Sequence, residues 1–86
     1  MNYLFPVYRK YINNKSYFKV FDSDSFEEIQ VLGSNYWIYQ FQAKILPDRY
    51  FIKDLIEMEG ERWVEISAEA YNDFKNKCQQ DFNKRN

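Results

Sequence analysis

NYWIYQFQAKILPDR, residues 35–49, decides how this chain is read. Trp37, Tyr39, Phe41, Ala43 and Ile45 fall on one parity, and Tyr36, Ile38, Gln40, Gln42 and Lys44 fall on the other. A period of two describes a β-strand with two unlike faces. The odd row is aromatic and uncharged, so it is either the inside of a small protein or an open platform for a ligand. A platform for a polyanion mixes aromatics with cations, and this row has none, which favours the inside. On that reading the even row faces outward, with Tyr36 and Ile38 as its apolar end. Pro47-Asp48 stops the strand at Ile45 or Leu46, because proline disfavours helical geometry in the residue before it.

Upstream, three more strands separated by turn residues are legible. FEEIQVL, residues 26–32, alternates in its middle, and Gly33-Ser34 turns it into the strand above. SYFKVFD, residues 16–22, is bounded by Asn13-Asn14-Lys15 and by Ser23-Asp24-Ser25, whose short polar side chains bond to nearby backbone and tolerate left-handed conformations. The first strand lies within Tyr3–Ile12. Pro6 lacks the N–H that a central strand needs, which predicts either an edge position or a strand that starts just after it. Strands adjacent in sequence tend to be neighbours in space, so a meander is expected.

Downstream, RYFIKDLIE, residues 49–57, fits two patterns. As a helix it places Phe51, Ile52, Leu55 and Ile56 on one face, with Pro47 and Asp48 near the N-terminus. As a strand it suits the aromatic and β-branched content and the hairpin-sized turns on either side, and the strand is the expected form. Gly60 marks a turn, residues 62–66 a short strand, and Ser67 the N-cap of a C-terminal helix. Tyr71, Phe74, Cys78 and Phe82 form that helix's apolar stripe, and Lys84 and Arg85 suit its C-terminal end. The expected fold is α+β, residues 1–86 forming a single small domain. A curved antiparallel sheet, a meander of five or six strands, packs on one C-terminal α-helix. Phe18, Val20, Ile29, Val31, Trp37, Tyr39, Phe41 and Ile45 are expected to point inward.

Eighty-six residues give a thin core, but eight Phe, eight Tyr and two Trp, 21% of the chain, enlarge it. The same excess leaves apolar surface to cover, which makes a homodimer or a protein partner an expectation. The net charge of −1 argues against non-specific polyanion binding. No apolar run is long enough to span a membrane, and no basic-then-apolar leader opens the chain. One cysteine cannot form an internal disulfide, so a reducing, cytoplasmic location is expected.

Histidine is absent, which removes the commonest neutral-pH acid–base group and metal ligand. Asp22-Ser23-Asp24-Ser25 has too few acids and no glycine for a calcium loop. Cys78 lies on an apolar stripe without an activating base, and isolated Gly33 and Gly60 build no phosphate cradle. NKSYFKVF, residues 14–21, resembles an RNA-recognition-motif strand in its aromatic and basic character. It departs from that pattern at Ser16, where glycine belongs, and at Lys19, where an aromatic belongs. The resemblance is therefore set aside.

These exclusions leave no catalytic residue, no cofactor and no metal site. The expected function is a non-enzymatic protein-interaction or self-associating domain, its interface built from Tyr8, Tyr11, Tyr36 and Ile38. Two alternatives remain. One is a nucleic-acid-associated factor using Arg9, Lys10, Lys15 and Lys19 of the N-terminal hairpin, although cross-strand pairing of Lys10 or Lys19 with Glu27 or Glu28 accounts for those charges. The other is a small-molecule-binding domain with an aromatic pocket, for which Trp37, Trp63 and Tyr71 are the candidate lining.

Overall fold

The structure, a computed structural model, describes the backbone of residues 4–84 and the side chains of residues 4–81. Tyr3 and Arg85, which the sequence reading placed in the first strand and the last helix, lie outside the described residues, as do the side chains of Phe82 and Lys84. The elements are β1 (Val7–Tyr11), β2 (Ser16–Asp22), β3 (Ser25–Leu32), β4 (Asn35–Gln42), α1 (Leu46–Glu57), β5 (Trp63–Glu65) and α2 (Ala68–Lys84).

The first four strands form the expected meander. Its turns close on the residues that predicted them. Asn13 Oδ1 accepts the Lys15 N–H at 2.9 Å, and Asn14 takes a left-handed φ of 63°. Asp22 Oδ1 accepts the Asp24 N–H at 2.8 Å and the Ser25 hydroxyl at 3.0 Å. Gly33 turns at φ 62°, a conformation that costs glycine little. β1 begins just after Pro6, and it is not an edge strand, because β5 pairs with its other side. The order is β4-β3-β2-β1-β5, every pairing antiparallel.

Residues 49–57 are helical, which corrects the strand expected there. α1 starts at Leu46, with proline tolerated in its first turn. Ile45 has no side chain able to cap. Instead the Asp48 carboxylate accepts the Lys44 and Ile45 N–H groups at 3.0 and 3.3 Å, the backward half of a capping box. Ile52, Leu55 and Ile56 are buried and Phe51 packs against the same cluster. One continuous apolar stripe against a sheet outweighs β-propensity, which largely reflects context.

The expectation of one helix on a curved sheet is therefore overturned: two helices pack on a five-stranded sheet that is not strongly curved. They take opposite faces. Residues paired across strands share a face, so Val7, Arg9, Tyr11, Phe18, Val20, Phe26, Glu28, Tyr39, Phe41 and Trp63 line one. Phe51 of α1 meets Phe18, Phe26 and Trp63 on that face, at ring separations of 6.4, 5.9 and 6.2 Å. The other face carries Tyr8, Lys19, Tyr17, Glu27, Ile29, Ile38 and Tyr36. There Tyr71 packs on Tyr8 at 5.4 Å and Phe74 stacks on Tyr17 at 3.9 Å. Ser67 caps α2 as expected, its hydroxyl accepting the Ala70 N–H at 3.0 Å.

Two buried polar groups tie the helices down. Arg9, only 2% exposed, donates from Nε to the Leu55 carbonyl at 3.2 Å and from Nη2 to the Ile56 carbonyl at 2.8 Å. These are last-turn carbonyls that the helix itself leaves unsatisfied. On the other face the Tyr71 hydroxyl donates to Glu27 at 2.7 Å and Lys75 Nζ approaches the same carboxylate at 3.1 Å.

Candidate functional site

The row from residue 37 to residue 45 is divided by the reach of α1. Twelve helical residues rise about 18 Å, while five strands spaced ~4.8 Å apart span roughly 19 Å. α1 thus crosses the sheet once, from the end of β4 to the carbonyls held by Arg9 on β1, as a strip one helix wide. Phe41 and Ala43 lie beneath it, in contact with the core. Trp37 and Tyr39 lie beyond it, 42% and 47% exposed, and Ile45 is also exposed. Their inward assignment is corrected accordingly.

The uncovered half of that face has a definite composition. Gln30 stands opposite Trp37 and Glu28 opposite Tyr39 on β3. Ser16 stands opposite Gln30 on β2, and its buried hydroxyl donates to Glu28 Oε2 at 2.8 Å. Tyr11 lies in the row beside Phe18, stacked on Trp63 at 5.9 Å. Burial foremost, and then the nearby Glu28 carboxylate, push the Tyr11 phenol pKa up. The Trp63 indole N–H is near enough to favour the phenolate, yet it meets no hydrogen-bond geometry and stays an orphaned buried donor. Glu28 itself is half-buried and forms no ion pair with any described residue. The Arg62 guanidinium lies 4.3 Å over the Trp63 ring and opposes Glu28 at Tyr11, while at the Trp37–Tyr39 end indole and phenol faces stand beside the Glu28 carboxylate.

The other candidate residues do not converge. Tyr8, Tyr36 and Ile38 share the α2 face, half-buried, whereas Tyr11 lies on the α1 face. Tyr36 borders a cleft of about 230 Å³ between the β3–β4 turn and α2, with Val31, Phe74, Lys77, Cys78 and Asp81. Burial, and then Asp81, raise the Cys78 thiol pKa, so it is poorly suited to thiolate chemistry.

The basic residues are dispersed too. Arg9 is committed to α1. Lys10 donates to Asn14 Oδ1 at 2.6 Å, and Lys15 is in the turn. Lys19 lies opposite Glu27 in the register, while the Glu27 carboxylate is engaged by Tyr71 and Lys75. Trp63 and Tyr71 are buried on opposite faces of the sheet, so with Trp37 they line no common hollow. Asp24 pairs with Arg49 at 3.1 Å, and among the described residues no three acidic or cysteine side chains gather as a metal site. No described helix is long and apolar enough to cross a membrane.

Sequence reading named Trp37 as a pocket lining but turned Trp37 and Tyr39 inward, and it missed Glu28 and Gln30 beside them, because it gave the face to one helix. Their signal was present in FEEIQVL, where Glu28 and Gln30 share the parity of Phe26. Comparison of the chain with protein-family models, with curated proteins and with solved structures finds no match.

Proposed function

We propose that this protein is a non-enzymatic small-molecule-binding domain that takes an organic cation on the open half of its α1 face. The observation that carries the reading is the Glu28 carboxylate, half-buried beside Tyr39 and Trp37 and without a cationic partner among the described residues. A cation over an aromatic face gains about 0.5–1 kcal/mol when exposed and roughly 2 kcal/mol when desolvated. A carboxylate at the rim adds a charge-assisted hydrogen bond. The Glu28 carboxylate beside Trp37 and Tyr39 disfavours a phosphate backbone, so nucleic acid is the poorer ligand there. The lone Cys78 supports a reducing, cytoplasmic setting as part of this proposal. A homodimer or protein partner rests on a separate feature, the β4 edge at Ile38, Gln40 and Gln42, which no described strand pairs.

Fluorescence titration at low salt with tetramethylammonium and with methylguanidinium, against neutral tert-butanol as a shape control, tests the proposal. The cations are expected to change Trp37 emission saturably and the alcohol is not. Glu28→Gln and Trp37→Ala should each weaken binding about 5- to 30-fold, the factor that ~1–2 kcal/mol represents. Equal response to the neutral control, or wild-type affinity in Glu28→Gln, would refute it.

A further inference from the structure

We infer that β4 is a self-pairing edge, and that two copies of the chain join antiparallel through it into one continuous sheet. The sheet ends in two unlike edges. β5, at one end, is three residues long. β4, at the other, is eight residues long, contains no charged residue and no proline, and pairs with β3 without a register shift. Natural edges are blunted by shortness, lysine, proline or a bulge, since bare N–H and C=O groups recruit another strand. β4 has none of these protections.

The direction of its free groups follows from the ladder. Ala43 N–H donates to the Asp24 carbonyl at 2.7 Å, extending the β3–β4 register by one pair. Odd residues of β4 therefore bond toward β3, and Ile38, Gln40 and Gln42 turn their backbone groups to the open side. A second copy of the same edge satisfies them. Any register that pairs outward-facing residues matches even with even, and so keeps Trp37 and Tyr39 of both copies on one face of the joined sheet. Their half-exposed rings then extend against the partner's Trp37, Tyr39 or Phe41, cross-strand contacts worth making between aromatics. An uncharged strand meets its own copy without like-charge repulsion, and a two-fold isologous contact closes after two chains. This pairing uses backbone groups, so it does not depend on the cation site.

Sedimentation equilibrium at tens of micromolar, with amide hydrogen exchange on the same samples, tests the inference. The wild type should run at twice the 10.6 kDa chain mass, with the Ile38, Gln40 and Gln42 amides protected. Gln40→Pro removes one outward N–H without touching either exposed ring. Tyr39→Lys sets a lysine of each copy close across the seam. Each should weaken the dimer at least tenfold, and Tyr39→Lys decides if Gln40→Pro does not fold. A monomeric wild type, a dimer in which those three amides exchange freely, or dimers of unchanged affinity in both folded variants would overturn it. A wild type that stays monomeric yet protects these amides only with a foreign peptide would also overturn the choice of a second copy. Cation titration of monomeric Gln40→Pro separates this outcome from failure of the ligand proposal, since that site is intact in it.

Discussion

Glu27 is a carboxylate at 5% exposure, held by three donors from two elements: Tyr71 and Lys75 on α2 and Gln40 on β4. Burial raises its pKa, but the Tyr71, Lys75 and Gln40 hydrogen bonds and the Lys75 charge together outweigh burial, and the net direction is down. A carboxylate lowered on folding contributes stability that is complete above the ordinary value of 4.5 and is lost as pH falls through the lowered value. Tyr71 moves the opposite way. Burial, and then the hydrogen bond to Glu27, raise its phenol pKa, so its contribution is complete below the ordinary value of 10.0 and is lost as pH climbs past it. Tyr71→Phe removes the tyrosine's own contribution and takes one of the three hydrogen-bond donors from Glu27. In urea midpoints measured across pH, the acid limb should shift to higher pH and the alkaline limb should flatten. An unchanged profile in Tyr71→Phe would place the stabilising donors elsewhere.

At the scale of elements, α1 is the piece least legible from sequence and the one that most shapes the molecule. Its stripe of Phe51, Ile52, Leu55 and Ile56 can be read at helical spacing, and Asp48 at the third helical position is a local start signal. What the sequence does not display is the partner of its far end. No basic residue stands in α1's last turn, and the guanidinium that satisfies its carbonyls comes from Arg9, 46 residues away in sequence. Arg9 looks like a solvent cation in a run with Lys10, Lys15 and Lys19, and only the strand pairing turns it inward. Arg9→Met should cost about 2–4 kcal/mol in urea denaturation, since each buried carbonyl left unpaired costs roughly 1–3 kcal/mol. Arg9→Lys should recover only part of it, because an ammonium does not reproduce the planar fork. A loss below about 0.5 kcal/mol in Arg9→Met would mean that water satisfies the carbonyls equally well.

At the scale of the whole molecule, the meander, its three turns, the short fifth strand and the Ser67 cap were legible because each rests on local chemistry. The layering was not. Strand parity assigns residues to two faces but does not say which face a helix will cover. α2 covers the even face of β1, α1 half-covers the odd one, and Trp37 and Tyr39 are left in the open remainder. The functional reading depends on that placement, and aromatic proton–proton contacts by NMR test it directly. Rings of Phe74 and Tyr71 should show contacts to Tyr17 and Tyr8, and Phe51 to Phe18, Phe26 and Trp63, with the Trp37 indole contacting neither α1 nor α2. Contacts from Phe74 to Phe18 or Phe26, or from the Trp37 indole to either helix, would contradict it.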